Sequence, residues 1–471
     1  MEICVLNGSP KGEKSVTMQY TKFLELANPD HSFHTSHISQ KISILEKNST
    51  EWEKVINTIQ KADIILWAAP VYFQHVPAQY KRFIELIFEK KVDTLFSGKY
   101  AASLSTSVHF FDHKVHEYLQ GISEDLDMRF VGSFSAAMED LLQVKNQVEL
   151  TAFGDDILSA CESHRPVIRA YPPVPELIRE YNPGVIQDSV DKGDKRVLIL
   201  HDSKSGSNLE KMVKQMSSQF SGEIDIHHLD DIGIKGGCLG CAQCAFDNQC
   251  IYTDGFCSFW ENKVKPSDII VFAGTIRDRY LSSAWKQFFD RSFFLGHIPR
   301  FSGKQLIIMV QGPLASVPGL RENLSCLISG GNLVDFVTDE PGDDACIDAL
   351  ISSVAMRAVR YAHAGYRKPP MFPQVAGHII LRDEIWGNLR SVFRADHKYY
   401  KSHGLYDFPH YRYKKRISLF FFSLMMSIPS IQKKVKPVMK DHMIQSFTQV
   451  FTTSNVLKNR NSKINPGLNT K

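Results

Sequence analysis

Asp63-Ile-Ile-Leu-Trp-Ala-Ala69 and Asp268-Ile-Ile-Val-Phe-Ala273 are two continuous apolar runs, each introduced by an aspartate. A β-strand has this composition when helices cover both faces of its sheet. A segment with the character of a helix follows each run, Ala78–Lys91 after the first and Ser283–Phe294 after the second. The two runs therefore predict central strands of parallel sheets.

The same alternation of strand-like and helix-like segments extends outward from both runs. The predicted strands are 3–6, 32–38, 63–69, 100–105 and 128–134 in the first half, and 196–201, 268–273, 305–310 and 332–337 in the second. Strands that alternate with helices form parallel sheets with right-handed crossovers. We therefore predict an α/β protein with two doubly wound domains, each built on a five-stranded parallel sheet.

Changes in composition set the limits of these domains. Residues 166–193 contain five prolines, three of them within Tyr171-Pro-Pro-Val-Pro175, and this density predicts a linker. The two domains are then expected at 1–165 and 194–365. Residues 366–471 lack the alternation and are expected to form a basic, mostly helical C-terminal segment.

Overall composition argues against several classes of protein. The 471 residues include 23% charged and 43% hydrophobic residues, which is ordinary for a soluble globular protein and unlike a disordered or fibrous chain. Met1-Glu-Ile-Cys4 lacks the basic and apolar stretches of a secretory signal. No membrane-spanning helix is predicted, because no apolar stretch reaches about 18 residues. These features predict a cytoplasmic protein.

Charge is distributed unevenly along the chain. Residues 366–471 contain 19 Lys and Arg against 5 Asp and Glu, a net charge of +14, whereas residues 1–365 carry −10. Arg412-Tyr-Lys-Lys-Arg416 and Lys433-Lys-Val-Lys436 flank the apolar stretch Ile417–Ile431, which is too short to span a bilayer. Two interpretations fit this segment: peripheral contact with an anionic membrane, at the inner face of the cell membrane, or packing of the apolar residues onto the body. Nucleic acid is not expected as a partner, because no binding fold is recognisable.

The first predicted strand ends in the loop Asn7-Gly-Ser-Pro-Lys-Gly-Glu-Lys-Ser15. Open parallel sheets bind ligands at the carboxyl ends of their strands, where helix N–H groups can bind an anion. Glu13 stands where a nucleotide-triphosphate loop requires its second glycine, and the G-x-G-x-x-G of dinucleotide loops is absent. The hydroxyls of Ser9, Ser15 and Thr17 instead suit a single terminal phosphate. The alternative is a solvated turn with an ordinary helix cap.

Together with the turn Pro70-Val-Tyr72 and with Lys81 on the next helix, this loop resembles the flavodoxin-like NAD(P)H-dependent FMN reductases. The resemblance covers about residues 1–165. It implies an FMN site with Ser9, Ser15 and Thr17 at the phosphate, Pro70, Val71, Tyr72 and Phe73 beside the ring, and Thr106 and Ser107 at its other edge. It also implies a homo-oligomer, because flavin sites of this family often lie at dimer contacts. Packing in the core is the alternative for Tyr72 and Phe73.

The second domain repeats the first loop only in part. Ser203-Lys-Ser-Gly-Ser-Asn208 offers hydroxyls at a helix start, and Ser203, Ser205, Ser207 and Asn208 are its candidate cofactor-binding residues. The turn after the third strand, Gly274–Tyr280, lacks the Pro-x-Tyr pattern. Arg277 and Arg279 in that turn could bind a phosphate or a partner, or could form surface ion pairs. The sequence leaves open whether one or both domains bind FMN.

Four cysteines of the second domain, Cys238, Cys241, Cys244 and Cys250, have the spacing C-x2-C-x2-C-x5-C. This spacing resembles ferredoxin-type ligation, and the compact motif resembles the iron–sulfur flavoproteins, in which it binds a [4Fe–4S] cluster beside FMN. A zinc site and free or redox-active thiols are the alternatives. Zinc fits the motif less well than a cluster does, because a structural zinc site usually takes two separated pairs of ligands. Cys257 lies outside the motif.

These features predict a tandem flavodoxin-like oxidoreductase. NAD(P)H would donate electrons to FMN, and they would pass, with or without an iron–sulfur cluster, to an unidentified small-molecule or protein acceptor. No catalytic side chain is nominated, because a flavin needs no side-chain acid for hydride transfer. The alternative is a non-catalytic docking or scaffold protein with a structural metal site, associated with a membrane through its basic tail.

Overall fold

The computed structural model describes residues 1–177, 179–186, 189–328 and 330–439, and a few further positions at 444–445, 447, 450–451 and 453–455. Three residues of the predicted linker and much of the end of the predicted C-terminal segment therefore lie outside the described residues. The chain divides into two compact units, Met1–His403 and Gly404–Lys471. The predicted limits at 165, 193 and 365 stay predictions, because both sheets belong to the first unit.

The first sheet contains five parallel strands, as the sequence predicts, and their order is β2-β1-β3-β4-β5. Its strands are β1 (Glu2–Asn7), β2 (Ser32–His37), β3 (Ile64–Pro70), β4 (Tyr100–Ser107) and β5 (Arg129–Ala137). Its helices are α1 (Val16–Ala27), α2 (Ile38–Lys47), α3 (Ser49–Lys61), α4 (Ala78–Glu89), α5 (Asp112–Asp125) and α6 (Val144–Glu162). The central run 64–69 is buried along its whole length, because helices pack on both faces of the sheet.

The second sheet repeats this topology, with parallel strands in the order β11-β10-β8-β6-β7. Its strands are β6 (Val197–His201), β7 (Asp225–His228), β8 (Ile269–Arg277), β9 (Tyr280–Leu281), β10 (Gln305–Gln311) and β11 (Asn332–Thr338). Its helices are α7 (Asn208–Ser217), α8 (Phe256–Phe259), α9 (Ser283–Arg291), α10 (Leu320–Cys326) and α11 (Asp344–Ala364). The short β9 pairs antiparallel with the end of β8, which makes this sheet six-stranded rather than five-stranded.

The remaining described helices lie towards the C-terminus. They are α12 (Phe372–Trp386), α13 (Arg394–Ser402), α14 (Tyr413–Met426) and α15 (Pro429–Val435). Helix α13 packs on the second domain, where Tyr400 donates to the His297 carbonyl at 2.7 Å and Asp396 bonds the His297 ring at 2.8 Å. None of the described helices combines the length and the apolar composition that a bilayer crossing requires.

Helices α4 and α9 join the two domains through two buried lysines. The Lys81 ammonium on α4 donates to the Arg277 carbonyl at 2.9 Å, at the end of β8. The Lys286 ammonium on α9 donates to the Tyr72 carbonyl at 2.8 Å, just after β3. Both lysine side chains are fully buried. Each domain therefore inserts a charged amine into the loop that follows the central strand of the other.

The carboxylates of the same two helices make the return contacts. Glu85 on α4 accepts from the backbone N–H of Ser283 at 2.6 Å, at the start of α9. Asp290 on α9 accepts from the backbone N–H of Ala78 at 2.7 Å, at the start of α4. Each carboxylate also forms an ion pair with the lysine one turn earlier on its own helix. The charges of both pairs are therefore compensated and hydrogen-bonded, as buried charges require.

The centre of this interface is a stack of two rings from equivalent positions. His75 and Tyr280 lie with ring centroids 4.0 Å apart. The residues before them, Gln74 and Arg279, both have a left-handed backbone, with φ values of 65° and 63°. Reciprocal contacts between equivalent residues are those of a two-fold interface between identical subunits. The two domains thus pack as two copies of one fold related by an approximate two-fold rotation.

We predict that removing one carboxylate of this interface strongly destabilises the protein. Asp290→Ala leaves the Lys286 ammonium buried without its partner, and such a loss costs about 3–5 kcal/mol. The double change Lys286→Met/Asp290→Leu should cost much less, because no charge is left behind. Urea unfolding monitored by fluorescence measures both. Glu149→Ala, which removes the exposed partner of Lys145, is the control and should cost about 0–1 kcal/mol. Equal stability of Asp290→Ala and the control would contradict the role given to the buried pair.

Candidate functional site

The loops after three neighbouring strands meet at one edge of the first sheet. Pro70 at the end of β3 lies opposite Thr106 at the end of β4, and the Val71 N–H donates to the Thr106 carbonyl at 3.2 Å. The Gly8 N–H donates to the Ala68 carbonyl at 2.7 Å, which holds the loop after β1 against β3. The structure therefore brings together the three segments that the sequence assigns to a cofactor.

Gly8 is required for this arrangement because there is no room for a side chain at its position. A Cβ atom at this position would lie 2.8 Å from the Tyr80 ring and 2.9 Å from the Cβ of Ala69. Tyr80 is itself fixed, because its hydroxyl donates to the Leu6 carbonyl at 2.8 Å. Only glycine lets the first loop leave β1 beside helix α4.

The hydroxyls of Ser9 and Ser15 shape the first loop. The Ser9 hydroxyl accepts from the Lys11 N–H at 3.3 Å, and the Ser15 hydroxyl accepts from the Met18 N–H at 3.2 Å as the N-cap of α1. The helix cap weighed as an alternative is thus present. In these bonds both hydroxyls are acceptors, so their O–H groups can still donate to a phosphate oxygen.

Thr17 and Thr106 lie deeper than the loop. Their hydroxyls hydrogen-bond each other at 2.6 Å, and both side chains are buried. This bond ties the first turn of α1 to the end of β4. Ser107 is only half-buried, and its hydroxyl accepts from the His109 N–H at 2.8 Å. The structure therefore places Thr17 and Thr106 where they position the loops.

Tyr72 lies under a loop of the second domain. Its hydroxyl is buried and has no hydrogen-bond partner among the described residues. Burial raises the pKa of Tyr72 well above its usual range. The backbone of Gly240 passes so close that a Cβ there would lie 1.8 Å from the Tyr72 hydroxyl and 3.0 Å from Lys11. A loop of the second domain thus covers the candidate cofactor site at the edge of the first sheet, which is called the first site below.

Phe73 packs across the domain interface. Its ring meets Phe293 edge-on, with centroids 5.7 Å apart, and the Arg300 guanidinium lies 4.3 Å from its centroid. Phe73 therefore packs against other side chains, which is the alternative to a place beside the FMN ring.

The loop that covers Tyr72 contains the four cysteines of the compact motif. Gln79 on α4 donates to the Cys238 carbonyl at 3.1 Å, which anchors the loop on the first domain. Cys238, Cys241, Cys244 and Cys250 all line one small cavity of about 20 Å³. The structure thus brings these four residues to a common place at the domain interface.

The predicted metal site in this loop is not supported. In the described part of the chain, no group of three or more His, Cys, Asp or Glu side chains could hold a metal ion. Burial raises the pKa of Cys238 and of Cys244 to about 12, so both are neutral thiols when no metal is bound. The residues as arranged do not fit an iron–sulfur cluster.

The second loop differs from the first in its carboxylates. Ser207 is the N-cap of α7, as Ser15 is of α1, and its hydroxyl accepts from the Glu210 N–H at 3.2 Å. The Glu210 carboxylate accepts from the Gly206 N–H at 2.7 Å, so it takes a donor that an anion would need. Met18 stands at the equivalent place in the first loop. An anion is therefore favoured at the first loop over the second.

A second carboxylate, Asp202, stands where the first loop has Gly8. It accepts from the Thr275 N–H at 3.1 Å and from the Ser282 hydroxyl. Burial raises the pKa of Asp202 to about 6, so it is largely ionised at neutral pH. A partly buried negative charge at the start of the loop opposes a phosphate there.

The other candidate residues of the second loop have different surroundings. Ser203 bonds the ring of His201 at 2.9 Å, and Ser205 is exposed. Asn208 is bound to the predicted linker: it accepts from the Tyr181 N–H at 2.8 Å and donates to the Arg179 carbonyl at 2.7 Å. A cavity of about 560 Å³ lies at this edge between the second domain and helix α4 of the first, and its lining includes Lys204, Ser207 and Arg277 together with Glu85 and Glu89.

Sequence reasoning missed the residues that reach across the interface. Gln79 and Gly240 touch the first site or its cover, yet they lie far apart in the chain and share no motif. His116 was also missed: its two ring nitrogens bond the hydroxyls of Ser103 at 2.7 Å and Ser105 at 2.8 Å, on strand β4, which also contains Thr106. The polar alternation of Ser103 and Ser105 in a buried strand was the available signal.

Comparison with known proteins gives a family match within the first domain. Residues 1–140 match the sequence model of the family described as NADPH-dependent FMN reductase. This match supports the resemblance over that part of the chain and an enzyme of this kind there. The match ends before the cysteine loop. The search of curated proteins gave no match.

Solved structures that are similar to part of this chain include several flavoenzymes. The NAD(P)H:acceptor oxidoreductase FerB from Paracoccus denitrificans is 18% identical, with 34% of this chain and 97% of that chain covered and a TM-score of 0.28. The apo form of the NADH:FMN oxidoreductase EMOB is 18% identical, over 33% and 88% of the two chains, with a TM-score of 0.30. An FMN-dependent NADH-azoreductase from Bacillus anthracis, in complex with FMN, is 11% identical over 34% and 98%, with a TM-score of 0.26.

We predict that His116 makes the protein sensitive to acid. Burial lowers the pKa of His116 to about 4, against about 6.5 in an unfolded chain. Between these values the unfolded state binds more protons, so stability is fully present above pH ~6.5 and falls as the pH falls. Lowering the pH from ~7.5 to ~5 should therefore reduce the free energy of unfolding by about 2 kcal/mol through this residue alone. Urea unfolding at both pH values should show a smaller difference for His116→Gln than for the wild type. His113→Gln, at an exposed position, should behave like the wild type; an unchanged pH dependence in His116→Gln would refute the assignment.

Proposed function

We propose that the first domain binds FMN and that the protein transfers electrons from NAD(P)H to a small-molecule or protein acceptor. The observation that carries the proposal is the first loop. It joins β1 to α1 beside the ends of β3 and β4, bears Lys11 and Lys14, and has Met18 where the second loop has a carboxylate. The family match over residues 1–140 supports the same assignment.

The residues of this edge fit the parts of FMN. Ser9, Ser15 and the N–H groups at the start of α1 would hold the phosphate. The ring would lie beside Val71 and Tyr72, whose buried hydroxyl has no protein partner in the described chain. When bound, FMN supplies the hydride-accepting chemistry. The protein contributes binding, orientation and exclusion of water, so no acid or base residue is required.

The second domain would complete this site. Its loop at Gly240 covers Tyr72, and the Cys238 carbonyl is held by Gln79. We propose that this contact replaces, within one chain, the dimer contact that the family resemblance implies. The proposed electron path contains no iron–sulfur cluster, because the arrangement of these thiols does not fit a metal.

We predict that FMN binding depends on the first loop and not on the second. Ser9→Ala/Ser15→Ala should weaken FMN binding by about 2–4 kcal/mol, because each hydrogen bond to a charged group contributes about 1.5–3 kcal/mol with some compensation by water. Ser205→Ala/Ser207→Ala is the matched control. Both double variants remove one N-cap, which costs about 1 kcal/mol of stability, so a difference in flavin affinity cannot come from the cap.

Fluorescence titration of the apoprotein with FMN measures both affinities. Loss of FMN in the second variant with full binding in the first would transfer the site to the second domain. A wild-type protein that binds no FMN, and oxidises no NAD(P)H when FMN is supplied, would refute the proposed function.

We predict that the cysteine loop contains thiols and no cluster. Protein purified without oxygen should contain flavin but no stoichiometric iron or acid-labile sulfide, and Cys244→Ser should leave its absorption spectrum unchanged. Cys346→Ser, at an exposed position outside the motif, is the control. Near-stoichiometric iron and sulfide that disappear in Cys244→Ser, but not in the control, would show that the loop rearranges around a cluster.

A further inference from the structure

Helix α14 presents large apolar side chains to solvent. Phe420, Phe421 and Phe422 are 66%, 60% and 52% exposed, and Leu424 is 61% exposed. Leu419 and Met425 are also exposed. The packing of this stretch onto the body stays a prediction, because α14 belongs to the second compact unit. Among the described residues, its side chains form an exposed apolar surface, which is typical of a site that contacts a partner or a membrane.

The apolar residues of α14 are not confined to one face. Leu419, Phe420, Phe421 and Phe422 are consecutive, so they point to different sides of the helix. A helix that is apolar all round is found in a large core or in lipid. With 14 residues and a rise of about 1.5 Å each, α14 is about 21 Å long, which is short of the ~30 Å hydrocarbon core. It can enter the surface of a bilayer but cannot cross it.

Basic residues stand at both ends of this apolar stretch. Residues 412–439 include seven Lys and Arg and no Asp or Glu. Four of the seven lie at 412–416, at the start of α14, and three at 433–436, in and just after α15. Lys433 and Lys434 are exposed. A basic cluster of this size beside an apolar helix matches the surface of an anionic bilayer, which attracts each basic residue by about 1 kcal/mol.

We propose that residues 412–439 bind the surface of an anionic lipid bilayer. The apolar side chains of α14 enter the acyl boundary, and the two basic clusters lie among the anionic headgroups at either end. A second copy of this chain fits less well as the partner, because the seven positive charges of one copy would repel those of the other. This proposal goes beyond the proposed function and does not depend on it, since it involves no flavin.

Co-sedimentation of the full-length protein with vesicles tests the proposal. The vesicles contain phosphatidylcholine alone or phosphatidylcholine with phosphatidylglycerol. We expect binding only to the second kind, and weaker binding as salt is raised to about 0.15 M, where the screening length is about 8 Å. Lys433→Gln/Lys434→Gln should weaken binding about 30-fold, which is the loss of two residues at ~1 kcal/mol each.

Matched variants separate charge from apolar insertion. Phe421→Glu/Phe422→Glu should abolish binding, whereas Leu142→Glu/Val144→Glu, at positions 80% and 73% exposed in the first domain, should not change it. Lys47→Gln/Lys61→Gln, at exposed positions, controls for net charge. Unchanged far-ultraviolet circular dichroism in every variant verifies folding.

Several results would overturn the proposal. They are equal binding to neutral vesicles, no binding to anionic vesicles at low salt, or binding that survives Phe421→Glu/Phe422→Glu. Two further results would assign the surface to another partner and overturn it as well: self-association that disappears in the Phe variant without vesicle binding, or oligonucleotide binding that depends on Lys433 and Lys434 without vesicle binding.

Discussion

The rest of the first unit depends on the reciprocal contacts that the buried charged side chains of helices α4 and α9 make with the opposite domain. Lys81 and Lys286 each bind a carbonyl of the opposite domain, and Glu85 and Asp290 each bind an N–H group at the start of the opposite helix. A buried charge is tolerated only where its partners are fixed. These contacts therefore allow a single relative position of the two sheets. The His75–Tyr280 stack lies between equivalent loops at that position.

That position determines what the candidate site looks like. The loop after β3 is held by Lys286 at the Tyr72 carbonyl, and the cysteine loop of the second domain covers the Tyr72 side chain. The first site is thus built from one domain and closed by the other. An enzyme assembled from identical subunits closes two such sites by symmetry, whereas one chain with two copies is free to keep one and change the other.

The loop after the first strand carries different charges in the two domains. Asp202 replaces Gly8, and Glu210 replaces Met18. Both carboxylates accept hydrogen bonds from backbone N–H groups beside the loop, where a phosphate would otherwise bind. The overall fold tolerates these replacements, because the N-cap at Ser207 still begins the helix. The two domains therefore share the sheet and the interface but differ in the charge of this loop.

The sequence by itself determined the two sheets and the positions of their strands apart from β7 and β9, and it predicted the three loops of the candidate site. It could do so because continuous apolar runs and strand-end motifs are local patterns, each contained in a few consecutive residues. It missed helix α2, which begins directly after β2 without a capping hydrogen bond, and the two-residue strand β9. Only the tertiary structure decided that Gly240 covers Tyr72 and that the four cysteines line one cavity, where no group of described side chains could hold a metal ion. Those facts depend on how distant segments pack, and packing is fixed by the whole set of contacts rather than by any one stretch of the chain.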